Sequence, residues 1–81
     1  MSQKLKQDIS VGENLRLLRR RVQLTQSEVA AKLQVMQLPV SREMLSQMEQ
    51  GKYNIRISVL LALKEIYKVE SMDEFFKDLS L

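Results

Sequence analysis

Three strings along this chain set a Glu three residues after a Ser or Thr at the head of an apolar helical stripe: Ser10-Val11-Gly12-Glu13, Thr25-Gln26-Ser27-Glu28 and Ser71-Met72-Asp73-Glu74. Each string has the form of a capping box, in which the hydroxyl accepts a free helix N–H and the Glu side chain reaches back to the cap's own N–H. Apolar residues follow each at helical spacing. Val11, Leu15, Leu18 and Val22 share one face, which predicts a helix over 11–22. Val29, Ala30 and Leu33 share another, predicting a helix over 26–34. Phe75, Phe76 and Leu79 follow the last box on a short helix.

Two more helices are expected between these. Pro39 disfavours helix at Leu38, Ser41 can cap a new start, and Gly51 can end it, so a third helix runs over 41–50. After a connector, "KYNIRI", Ser58 is read as the cap of a fourth helix. There Leu60, Leu63 and Tyr67 share one side, widened by Val59, Ala62 and Ile66. Only 2 Gly and 1 Pro occur in 81 residues, and no stretch alternates apolar and polar for long. The expectation is an all-α domain of five helices over 10–81, preceded by a mobile or loosely docked arm over 1–9.

The composition narrows function. There is no Cys and no His, which removes disulfides, thiol chemistry, the usual imidazole base and the common zinc ligand sets. Without a glycine-rich phosphate loop or a convincing carboxylate pair, no catalytic residue, metal or cofactor can be assigned. The N-terminus has no apolar signal core, and no apolar run reaches the length of a membrane span. A soluble, cytoplasmic protein is expected. The net charge of +3 is uneven: residues 1–56 hold 10 basic and 5 acidic side chains (+5), and residues 57–81 hold 3 and 5 (−2). The first part can attract a polyanion while the second serves another purpose.

An arginine-rich first helix followed by two short helices is the order of a DNA-binding helix-turn-helix. The run "GENLRLLRRRVQLTQSEVAAKL" followed by "VSREMLSQMEQGK" closely resembles the Cro/CI-type, XRE-like, lambda-repressor-like family of phage repressors and bacterial regulators. The resemblance covers about Val11 to Phe76. It is carried by Leu15, Leu18 and Arg19, then Thr25, Gln26, Glu28, Ala30 and Leu33, then Leu45, Met48, Glu49 and Gly51.

The resemblance implies that the second helix crosses the DNA backbone and the third enters the major groove. Arg42, Glu43 and Gln47, with Ser46 beside them, would then face base edges. Arg can bridge guanine O6 and N7, Gln can bridge adenine, and Glu can accept from cytosine N4. Gln26, Ser41, Lys52, Tyr53 and Asn54 would contact the DNA backbone. Arg19 and Glu49 match a pair that in this family forms an internal ion pair. One departure stands out: seven residues separate Leu33 from Ser41 where the family typically has two, so the turn is about five residues longer, an extension that some members carry.

Plainer readings exist for each residue. Three successive arginines, Arg19 to Arg21, cannot point the same way from a helix, so Arg16, Arg20 and Arg21 divide between phosphate and solvent. Arg42, Glu43 and Gln47 are ordinary exposed positions outside the helix-turn-helix frame. Phe75 and Phe76 point about 100° apart on a helix. One can plug the core while the other, with Leu79 or Leu81, meets a second copy. The expected function is a sequence-specific DNA-binding repressor, homodimeric on double-stranded DNA, with no membrane or small-molecule partner. The alternative is a protein-interaction helix-turn-helix module such as an antitoxin or adaptor. An enzyme is the remotest reading.

Overall fold

The computed structural model describes residues 9–79 and, for a short strand, the backbone of residues 4–5. Four α-helices carry the fold: α1 (Gly12–Arg21), α2 (Gln26–Val35), α3 (Arg42–Glu49) and α4 (Ile57–Ile66). A 3-10 helix over Met72–Phe76 stands where a fifth α-helix was expected. Two strands, β1 (Lys4–Leu5) and β2 (Ile55–Arg56), pair antiparallel with Lys4 opposite Arg56 and Leu5 opposite Ile55. The other positions of the expected arm, 1–3 and 6–8, lie outside the described residues, as does Leu81.

The apolar stripes form one core. Leu15 and Leu18 of α1, Val29 and Leu33 of α2, Leu45 and Met48 of α3, and Val59, Leu60 and Leu63 of α4 are all buried. Tyr67 and Phe75 close it from the C-terminal side. Helix α2 packs on α3 and α4, and α1 packs on α3 and the 3-10 helix. Among the described residues no helix is long and apolar enough to cross a membrane.

The helix starts only partly follow the capping strings. The Thr25 box forms in full: its hydroxyl accepts from the Glu28 N–H and the Glu28 carboxylate from the Thr25 N–H. Those bonds hold the Glu28 carboxyl below its usual range. Ser41 caps α3 by accepting from the Met44 N–H at 3.1 Å.

The Ser10 box does not form. Val11 is the N-cap, in a near-helical conformation, and the Ser10 hydroxyl takes the Gly12 N–H instead. Glu13 turns to Arg16, one turn ahead, with contacts of 2.8 and 3.2 Å. Ser58 is not a cap either. The chain runs straight from β2 into α4, so Arg56, in extended conformation, is the N-cap.

At the third box, Ser71 accepts from the Asp73 N–H, while Glu74 accepts from Glu70 and Arg21. The 3-10 turn, closed by Glu74 N–H to Ser71 carbonyl, lets Phe75 enter the core and ends with Asp78 at φ 64°. Leu79 therefore lies beyond the helix.

All four α-helices end alike. Gln23, Gln37, Gly51 and Lys68 occupy the left-handed region just past the C-caps, and the next residue's N–H returns to a carbonyl five residues back. This is the Schellman closure, which glycine favours. Here glycine marks only one of the four. Helix α2 thus runs one residue past its expected end, and its closure seats Leu38 against the core. Part of the longer turn is helix, and the rest, 36–40, is a closed loop before Ser41. Helix α1 needs its own glycine for another reason. A Cβ on Gly12 would stand 2.7 Å from the Met48 carbonyl oxygen and closer still to that of Glu49.

Candidate nucleic-acid interface

Helix α3 buries Leu45, Met48 and Glu49 and exposes Arg42, Glu43 and Gln47, with Ser46 half-buried beside them. Its amphipathic spacing therefore leaves one polar side free. Arg42 and Glu43 approach only loosely, at 3.7 Å, with both side chains mostly exposed. Gln50, which the sequence reading passed over, extends that side and donates to the Ser46 hydroxyl at 3.2 Å.

A cleft opens where α2 begins. Arg16 and Arg20 of α1, Gln26 and Ser27 of α2, and Arg42 of α3 line it together, with Arg19 and Glu49 at its base. The three arginines of α1 are thereby separated. Arg20 faces the cleft, Arg19 lies under it, and Arg21 reaches the other way to Glu74 at 2.7 Å. Positions 100° apart on a helix leave no other arrangement. Arg16 shares its charge with Glu13, whose carboxyl it holds below the usual range.

Arg19 and Glu49 meet in a bidentate pair, Nε to Oε2 at 2.8 Å and Nη2 to Oε1 at 3.0 Å. The Arg19 Nη1 also donates to the Leu24 carbonyl at 2.9 Å. Glu49 in turn holds the guanidinium more firmly protonated than usual. The pair joins α1, the turn before α2 and the end of α3, so it sets the angle at which α3 is presented. Gln26 belongs to the same network. Its Nε2 donates to the Glu49 Oε1 at 3.0 Å, a contact with no sequence signal, since 23 residues separate the two.

Past α3, Lys52, Tyr53 and Asn54 are exposed on the connector to β2. Behind α3 a cavity of about 70 Å³ lies between the Pro39-Val40 turn, Met44, Met48 and this connector. The residues nominated for a second copy divide: Phe75 is fully buried, and Phe76 and Leu79 are exposed. Leu17 of α1 is exposed as well, along a groove that also touches Glu74 and Lys77, the residues bracketing Phe75 and Phe76. Asn14 fixes this corner by donating to the carbonyls of Phe75 at 2.9 Å and Lys77 at 2.8 Å. Among the described residues no group of acidic side chains is placed to hold a metal ion.

No curated protein and no solved structure matches the chain significantly. A family model described as a helix-turn-helix domain matches residues 10–75, from the Ser before α1 to the Phe that plugs the core. The match spans both helices of the motif, the longer turn between them and the Arg19–Glu49 pair. The chain belongs to the helix-turn-helix domain family of the XRE/Cro-like type.

Proposed function

We propose that this protein is a sequence-specific DNA-binding transcriptional repressor, without enzymatic activity, that reads a two-fold symmetric operator as a homodimer. The observation that carries this reading is the convergence of the arginine-lined cleft at the start of α2 with the exposed polar side of α3. Cations beside a groove-sized helix supply the two terms that DNA recognition needs: phosphate neutralisation for affinity and base-edge contacts for discrimination.

Arg42, Glu43, Ser46 and Gln47 face the bases. Gln26, Ser41, Lys52, Tyr53 and Asn54 contact the backbone. The Ser41 oxygen is spent on the Met44 N–H, which leaves its hydroxyl hydrogen for a phosphate. One recognition helix reads too few base pairs to select a site among a genome of competitors. A second copy doubles the readout, with half-sites about 34 Å apart. Phe76 and Leu79 form the apolar surface for that copy, while Phe75 anchors the segment from within. A dimer seated on its operator represses by occluding polymerase.

The test is fluorescence anisotropy on duplexes selected from a random pool, repeated over a salt series. Affinity should fall with a slope of log K against log[salt] of about −0.9 per neutralised phosphate. Sedimentation of the wild type and of Phe76→Ser should give a dimer and a folded monomer. Absence of duplex binding at low salt overturns the reading, and a wild type that remains monomeric on its operator overturns the dimer.

A further inference from the structure

We infer that Glu49 is a positioning residue for DNA binding: it turns the Gln26 amide so that a phosphate in the α2 cleft meets an N–H rather than a carbonyl oxygen. The inference rests on the DNA-binding reading above.

A glutamine amide has two unlike ends. Its nitrogen donates two hydrogen bonds, and its oxygen only accepts. A surface glutamine free to rotate offers a phosphate either end, and the oxygen end repels it. Gln26 does not have that freedom. Its Nε2 lies 3.0 Å from the Glu49 Oε1, and an ionised carboxylate accepts but cannot donate. Only the nitrogen can face Glu49, and one of its two hydrogens is spent there. The second remains for a ligand in the cleft, which Gln26 shares with Arg16, Arg20 and Arg42.

Glu49 can do this because it is itself immobilised. Its side chain is only 3% exposed and both oxygens are bonded to Arg19, which is tied in turn to the Leu24 carbonyl. A chain of contacts thus runs from the turn before α2, through Arg19 and Glu49, to the amide at the head of α2. The paired guanidinium also cancels the carboxylate charge, so Glu49 stands near the phosphate path without repelling it.

Charge alone predicts the opposite result from positioning. Removing a carboxylate beside a DNA site should tighten binding, whereas releasing the Gln26 amide should weaken it. The experiment is a double-mutant cycle of Gln26→Ala and Glu49→Gln, using anisotropy on a duplex selected from a random pool. Circular dichroism establishes that each variant is folded at the assay temperature.

Gln26→Ala should weaken binding on the order of 10-fold, the loss of one charge-assisted hydrogen bond, and Glu49→Gln at least as much, since it also loosens the hold of Arg19 on α3. The double variant should bind no worse than Glu49→Gln alone. The salt slope of Gln26→Ala should match the wild type, because a neutral amide displaces no counterion. Additive losses, or tighter binding by Glu49→Gln, overturn the inference while leaving DNA binding intact. If Glu49→Gln does not fold, nuclear magnetic resonance of the wild type decides. One Gln26 side-chain amide proton, the one bonded to Glu49, should lie away from the position of an exposed glutamine in the free protein, and the other should shift on adding the selected duplex; a pair at exposed-glutamine positions, or one unmoved by duplex, overturns the inference. Failure of the wild type to bind any duplex removes the DNA reading and the inference with it.

Discussion

Two of the arginine–glutamate pairs on helix α1 have arginines only two positions apart, and burial separates them. Arg19–Glu49 leaves the side chains 11% and 3% exposed, is bidentate, and ties α1 to the end of α3. Arg21–Glu74 leaves them 48% and 32% exposed, rests on one contact of 2.7 Å, and ties α1 to the 3-10 helix. In water the attraction of two charges is largely offset by their lost hydration and by screening. At the base of the cleft, so little exposed, neither charge is readily rehydrated if its partner is removed. The first pair therefore holds the recognition helix at a fixed angle, and the second trims the corner where Phe76 and Leu79 are exposed. One chemistry serves two purposes because burial differs.

The largest expected effect tests the first half of that contrast. Glu49→Ala should destabilise the domain by about 3–5 kcal/mol, the cost of leaving the largely shielded Arg19 guanidinium without its carboxylate. Gln26 loses its partner in the same step. A small domain has about 5–15 kcal/mol in total, so the variant should melt well below the wild type. Thermal or urea unfolding followed by circular dichroism measures it. A loss below about 1 kcal/mol, the range of surface pairs, would mean that water reaches the site and that the contrast is false.

Much of the first pair was legible in the sequence, because Arg19 and Glu49 stand at matching places in a family pattern. The second pair was not, nor was Asn14. Its bonds to the Phe75 and Lys77 carbonyls span 61 and 63 residues and leave no local trace. The apolar stripes of α1 to α4 were readable because periodicity is local and core burial enforces it. Helix ends were harder. Ser10 and Thr25 head the same kind of string, yet only Thr25 forms the box, since Glu13 finds Arg16 first. Gln23, Gln37 and Lys68 close three helices in a conformation usually marked by glycine, so the true end of α2 and the shape of the long turn were not visible. At the candidate interface the exposed side of α3 followed from spacing, but the bond from Gln26 to Glu49 required the fold.

An intermediate effect of opposite sign sharpens the comparison. Tyr67 is fully buried, close enough to Arg19 and Glu49 to feel both charges, and among the described residues its hydroxyl has no hydrogen-bond partner. Burial, reinforced by Glu49, pushes its ionisation well above the ordinary tyrosine range. Tyr67→Phe removes an unsatisfied polar atom and should raise stability by about 1 kcal/mol, or ~4–8 °C in Tm. The pH dependence has a defined sign. A folded-state value raised above the unfolded one means stability is complete below the ordinary tyrosine value and lost as pH rises beyond it. Wild type should therefore weaken above about pH 10, and Tyr67→Phe should lose less. A destabilised phenylalanine variant would show that the hydroxyl is satisfied within the Arg19–Glu49 network.

The smallest effect belongs to the exposed pair. Arg21→Ala should lower Tm only slightly at low ionic strength, because Glu74 returns to water and keeps its bond from the Glu70 N–H. Adding salt to 1 M should erase that difference, since the Debye length then shrinks to about 3 Å. Acid should do the same. Arg21, followed by the Glu70 bond, holds the Glu74 carboxyl below its usual range, so the pair's contribution is present above the ordinary carboxylate value. It is lost as pH falls through the lowered one. Salt should leave the Glu49→Ala loss nearly unchanged, because ions cannot screen a pair they do not reach. Parallel melts of Arg21→Ala and Glu49→Ala at low and high salt therefore test burial as the cause. Equal salt sensitivity in the two variants would refute it.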